Sequence, residues 1–200
     1  MPALVPTRPL PAHQRFLGYV PWSPPVALPP WWFHLDPDRP TVYVTLGSSG
    51  RVQRLPLVIE AATSLGCQVL VATAGRSELG ALPPHVYTAD FLPGEAAARR
   101  AHVVVSNGGS TTGYQALAQG RPVLGVPFNL DQYLATQSIV RTGAGLMVRA
   151  GAAKREQVRE ALKRLLEEPS FGLRADELSD ELARWNAAER FVALVEQACG

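Results

Sequence analysis

Cysteine is nearly missing from this 200-residue chain, and its scarcity removes two classes of protein. Cys67 sits in an apolar run and Cys199 next to the last residue, which suits neither a disulfide framework nor a metal-ligand set. Long apolar runs are missing too. No stretch approaches the ~18 residues of a membrane span, and the opening MPALVPTRPL lacks the apolar core of a signal peptide. No integral membrane segment is expected, and the expected setting is reduced, soluble and cytoplasmic. Nor is there an excess of charge of one sign. Lys+Arg 19 against Asp+Glu 17 leaves +2, too near balance for a nucleic-acid partner or an anionic membrane. Charged residues make up only 18% and hydrophobic ones 46%, enough for a core and too apolar for chain-wide disorder.

Proline is abundant but crowded: residues 1–40 hold 11 of the 18. Proline lacks an N–H, fixes its φ and pushes its predecessor out of the helical region. The segments PALVPTRPLP and PWSPPVALPPWW therefore read as extended chain, partly polyproline II, and not as helix or central strand. Trp22, Trp31, Trp32 and Phe33 give this arm surface to dock with, either on the rest of the chain or on a neighbour. The division expected is an arm over 1–40 and a domain over 41–200.

Past residue 40, strand and helix patterns alternate. TVYVTL (41–46), CQVLVAT (67–73), a short run at 85–88, HVVVS (102–106), PVLGVP (122–127) and GLMV (145–148) read as strands. Helical spacing separates them: Leu55, Val58, Ile59, Ala62 and Leu65; a small Ala-rich helix after Phe91-Leu-Pro-Gly94; a helix through Ala116 to Ala118; and one from about 131 to 142. Two apolar stripes end the chain, Val158, Ala161, Leu162, Leu165 and Leu166, then Phe191, Leu194, Val195 and Ala198 beyond a break near Pro169. Apolar strands each joined to the next by a helix predict an α/β fold: a doubly wound, Rossmann-like parallel sheet of about six strands with C-terminal helices. Ligands of such folds bind at the carboxyl ends of the strands, which places the chemistry in loops 47–50, 74–84, 91–94, 106–112 and 127–132.

The segment VVVSNGGSTTGYQALAQGRPVLGVPFNLDQ (103–132) carries the strongest chemical pattern. Gly108 and Gly109 turn the chain sharply off a strand. The helix behind them offers unpaired N–H groups, the positive end of its dipole, and the hydroxyls of Ser110, Thr111 and Thr112, a combination suited to phosphate. A plain strand–helix turn with a Ser or Thr cap explains the same residues. Asp131 and Gln132 open the next helix, either as a cap or as a carboxylate and amide for a hydroxylated ligand.

This segment resembles the donor-binding half of the GT-B glycosyltransferases, most closely the nucleotide-sugar-dependent family of plant, antibiotic and macrolide enzymes. Asn107 to Gln115 is eight residues and Asn107 to Asp131 is 24, as between the corresponding positions of that family. VYVTLGSSG (42–50), DFLPGEAAARRAHVVVS (90–106), GAGLMV (143–148) and the linker-like GYVPWSPPVALPPWW extend the likeness over about residues 15–200. The resemblance implies a glycosyl transfer from a UDP- or dTDP-sugar to an acceptor hydroxyl, with inversion and with no cofactor or metal. It also implies roles. Gly47 and Ser48 would lie near the phosphates or the reacting centre, and Phe91 to Pro93 would hold the base. Gly109, Ser110 and Thr112 would bind the diphosphate, and Asn107 and Gly108 would belong to the same donor site. Gln115 would meet the ribose, and Asp131 with Gln132 the sugar hydroxyls.

Three positions depart from the family pattern. Asn107 stands where His is usual, Thr111 where many bacterial members have Gly, and Gln115 where Glu is usual, so two charge-assisted contacts become neutral ones. The family's acceptor pocket and general base belong to a domain ahead of the linker, and His13, His34, His85 and His102 match no catalytic position. The chain is thus expected to bind donor and to show no turnover alone, either as a fragment of an enzyme or as one subunit of a split enzyme whose acceptor domain is a separate chain. The alternative is a non-catalytic binding domain that keeps the fold. A dinucleotide-dependent oxidoreductase fits poorly, because Gly47-Ser-Ser-Gly50 is not GxGxxG and Glu60 sits inside the following helix.

Overall fold

The computed structural model describes residues 2–5, 10–11, 13–76, 79–151 and 153–199. Six strands form one sheet: β1 (Thr41–Thr45), β2 (Gln68–Ala72), β3 (Val86–Ala89), β4 (Val103–Ser106), β5 (Val123–Gly125) and β6 (Gly145–Met147). Every pairing is parallel and the order is β3-β2-β1-β4-β5-β6. Among the described residues seven α-helices accompany them: α1 (Leu55–Thr63), α2 (Gly94–Arg100), α3 (Ser110–Ala118), α4 (Leu130–Thr142), α5 (Arg155–Glu167), α6 (Pro169–Ala183) and α7 (Ala187–Cys199).

The unbroken apolar strands are explained by burial on both faces. Successive side chains point to opposite sides of a strand, so Val42, Val44, Val69, Val71, Val103 and Val105 join one core with α1 and α5. Tyr43, Leu70, Ala72, Val104 and Val123 join the other, with α2, α3 and α6. Among the described residues no helix is long and apolar enough to cross a membrane.

Two features differ from the sequence expectation. Pro169 does not simply break the tail. It occupies the first turn of α6, where its missing N–H costs nothing, and Phe171, Ala175, Leu178 and Leu182 bury a third stripe. The arm also carries one 3-10 turn, Pro30–His34, again with proline at its start. Part of PALVPTRPLP (residues 6–9) lies outside the described residues. From residue 13 to Pro29 the arm has no regular secondary structure, and Leu35, Trp31, Trp32 and Tyr19 then pack on the second core.

Candidate functional site

Strands β1 and β4 are sheet neighbours although β2 follows β1 in sequence, so the chain runs outwards in both directions from this pair. The loops leaving their carboxyl ends, 46–50 and 107–109, therefore face each other across the crevice where such folds take ligands. The approach is close enough to require glycine. A side chain on Gly50 would collide with the Leu46 carbonyl and with Cβ of Asn107. Gly108 has φ of 86°, and a Cβ there would run into the Gln132 carbonyl and Oγ1 of Thr136 on α4.

One hydroxyl joins these loops. Nδ2 of Asn107 donates to Oγ of Ser49 at 3.2 Å, and Nε2 of Gln132 donates to the same oxygen at 3.3 Å. Oδ1 of Asn107 accepts from the Gly109 N–H at 3.0 Å, and Oε1 of Gln132 accepts from the Phe128 N–H at 2.9 Å. With its oxygen accepting from both amides, Ser49 keeps its own proton to donate. The start of α4 is capped by Asn129, whose Oδ1 accepts from the Gln132 N–H at 2.9 Å, and not by Asp131, which stands exposed in the first turn. At α3 the cap position is Gly109, which has no side chain to cap the helix and whose own N–H is taken by Asn107. The Ser or Thr cap considered from sequence is thus not made, and the first N–H groups of α3, with exposed Ser110 and half-buried Thr112, face the crevice unpaired by the helix. A cavity of about 350 Å³ between α3 and α4 is lined by Ser110 and Asp131 together with Leu4, Tyr114, Leu134 and Ile139.

Gln115 lies elsewhere in the network. Its Nε2 donates to the Trp22 carbonyl at 2.5 Å and contacts Oγ of Ser23 at 3.4 Å. The same Ser23 oxygen accepts from the Glu95 N–H at 3.3 Å, and Tyr19 donates to Oε1 of Glu95 at 2.9 Å while stacking on Tyr114 with centroids 5.7 Å apart. Burial, reinforced by the Glu95 carboxylate, pushes the Tyr19 phenol well above its ordinary value, so it remains a donor. Residues 19–23 thus cross the starts of α2 and α3 as a strap. The Gln115 amide rests against Gly94, beside the loop of Phe91 (exposed), Leu92 (buried) and Pro93. Among the described residues none donates to Oε1 of Gln115.

The glycine loop carries two cations. Nη1 of Arg76 donates to the carbonyls of Gly47 and Gly50 at 3.1 and 3.2 Å, and the Arg51 guanidinium stacks 3.8 Å over the Phe128 ring. Ser48 is exposed beside them. Sequence reasoning did not single out Ser49 or Arg76. Ser49 is one of two serines in the loop with nothing to separate them, and Arg76 reaches the loop from the neighbouring strand's end. Among the described residues no group of three His, Cys, Asp or Glu side chains is placed to hold a metal ion.

Residues 56–196 match the family model of the erythromycin biosynthesis protein CIII-like C-terminal domain. A PGL/p-HBAD biosynthesis glycosyltransferase of Mycobacterium tuberculosis is 47% identical over 90% of this chain and 42% of its own length. A PGL/p-HBAD biosynthesis rhamnosyltransferase of Mycobacterium bovis is 46% identical over 92% of this chain and 41% of its own. The chain thus spans less than half the length of these relatives. The crystal structure of glycosyltransferase VinC in complex with DTDP superposes on 98% of this chain and 50% of that one, at 27% identity and a TM-score of 0.81. The six-stranded sheet with helices on both faces is one half of the GT-B arrangement, and the chain belongs to the erythromycin biosynthesis protein CIII-like C-terminal domain family of glycosyltransferases.

Proposed function

We propose that this chain is the donor-binding half of an inverting glycosyltransferase that uses a UDP- or dTDP-sugar. The observation that carries the reading is the convergence of Asn107 and Gln132 on Ser49 above the uncapped start of α3. In this reading the diphosphate lies against Gly109 and on the N–H groups of Ser110 and Thr112, where a helix end stabilises negative charge as it develops. Asn107, Gly47 and Ser48 border it. Phe91 to Pro93 hold the base, and the carbonyl oxygen of Gln115, which the strap leaves as an acceptor, meets a ribose hydroxyl. Asp131 and the second N–H of the Gln132 amide meet the sugar.

Transfer is a single displacement. An acceptor oxygen attacks the anomeric carbon opposite the diphosphate, and the bond to the diphosphate breaks with its electron pair leaving on that group. The acceptor's proton passes to a base on the acceptor half, outside these 200 residues. Calorimetric titration of the full chain with UDP and dTDP tests the reading. Binding is expected for at least one, and Asp131→Ala combined with Gln115→Ala is expected to abolish binding of the matching nucleotide sugar. No binding of either nucleotide supports the non-catalytic alternative and overturns the proposal, while robust transfer by the chain alone would overturn the division between halves.

A further inference from the structure

A departing diphosphate concentrates negative charge, and the side chains gathered beneath it answer with little. Asn107 and Gln132 are neutral amides, Ser49 a hydroxyl, and Asp131 brings a charge of the wrong sign. The α3 terminus contributes about half a positive charge. A full cation is nevertheless fixed at the loop. The Arg76 guanidinium bridges the carbonyls of Gly47 and Gly50 through Nη1 alone. A guanidinium carries five N–H donors in a rigid fork, and among the described residues Nη2 and Nε of this exposed side chain have no partner. Gly47 in turn lies beside Asn107: a Cβ added to Gly47 would sit 3.4 Å from Nδ2 of Asn107. Guanidinium, glycine turn and Asn107 thus follow one another along the rim of the crevice. Arg51, the other cation of the loop, is committed to the face of Phe128.

We infer that Arg76 is the cation of the diphosphate site: it closes the glycine loop through two carbonyls and gives its remaining donors and its charge to the diphosphate of a nucleotide sugar. This rests on the donor-binding reading above. It makes the loop after β2, and not the residue that follows β4, the source of charge for the leaving group.

The test uses the full chain and whichever of UDP or dTDP binds it more tightly, titrated at low and high salt. Arg76→Gln is expected to weaken the diphosphate about tenfold or more, the scale of one charge-assisted hydrogen bond, and to flatten the salt dependence. Arg76→Lys, which keeps the charge without the fork, is expected to lose less. Lys163→Gln, an exposed cation on α5, controls for net charge and is expected to stay within about twofold. Unchanged affinity in Arg76→Gln overturns the inference and leaves the donor-binding reading standing. Equal losses in the Gln and Lys variants, with the wild-type salt dependence, reduce Arg76 to a loop clamp and also overturn it. If Arg76→Gln does not fold, Arg76→Lys decides: loss of affinity as large as tenfold at an unchanged melting temperature sinks the inference. Failure of the wild-type chain to bind either nucleotide removes the reading itself.

Discussion

Thr41 opens β1 with its N–H donated to Nδ1 of His102 at 3.0 Å, which ties the start of β1 to the start of β4. That nitrogen accepts only while the ring is neutral. Burial, followed by the neighbouring Arg121 and Arg100, holds the His102 pKa below its ordinary 6.5. The folded state therefore resists a proton that the unfolded chain accepts. The contribution is complete above about pH 6.5 and is lost as pH falls below it, down to the folded pKa. Melting temperature is expected to fall more steeply with acidity for the wild type than for His102→Asn, whose amide oxygen keeps an acceptor and cannot titrate. Identical pH profiles of the two proteins would falsify this account. Cys67 shows the same physics without function: burial pushes its thiol up to about 11, so it stays a protonated core residue. At the site, the residue types were legible in the sequence and their partners were not. Asn107, Gln115 and Gln132 all read as ligand groups, yet each spends at least one amide hydrogen bond within the chain.

Among the elements, the strands and the first five helices follow from pattern. A β-branched run buried on both faces has few alternatives to a central parallel strand, and α5 buries Val158, Ala161, Leu162 and Leu165 as its spacing demands. The last two helices differ: α7 forms where its stripe predicts a helix, whereas α6 lies where the sequence reads only a break near Pro169. Leu178 and Leu182 of α6 join the second core. α7 buries only Ala187, and its Phe191, Val192 and Val195 remain 56%, 53% and 43% exposed. Periodicity shows that a helix has an apolar face, not whether anything is left to pack against it. Phe191→Glu is accordingly expected to shift stability by less than about 0.5 kcal/mol. Leu178→Ala on α6 should cost about 2–5 kcal/mol. Denaturant midpoints measure both, and a large loss in Phe191→Glu would show that α7 is anchored.

Across the whole molecule, the proline-rich arm is bound by hydrogen bonds that span long stretches of sequence. Nε1 of Trp31 donates to the Thr88 carbonyl at 3.1 Å, and its ring lies 5.3 Å from Tyr87. Buried Gln68 donates to the Asp36 carbonyl at 2.7 Å and to Oγ1 of Thr41 at 2.8 Å, and accepts from the Asp36 N–H. A buried amide so fully used is costly to disturb. The arm from Tyr19 to Asp36 is thus expected to unfold with the sheet in one transition. Trp31→Ala should lower that transition by about 2 kcal/mol, allowing for its half-burial, as read from thermal and denaturant melts. A sheet transition unchanged by Trp31→Ala would make the arm an independent appendage.

What the sequence determined by itself is local or periodic. Two-sided burial of the strands fixes a parallel sheet, proline density keeps regular helix and strand away from most of the arm, and Gly108 with Gly109 marks a strand handing over to a helix. What the tertiary structure decided is who bonds to whom. Ser49 meets Gln132 across 83 residues, Gln115 meets Trp22 across 93, and Arg76 meets Gly47 across 29. Those pairings exist because the strand order places β1 between β2 and β4 and lays the arm over α2 and α3. Hydrogen bonds act only over about 3 Å, so which polar group serves a ligand and which serves the fold is settled only when the strands take their places.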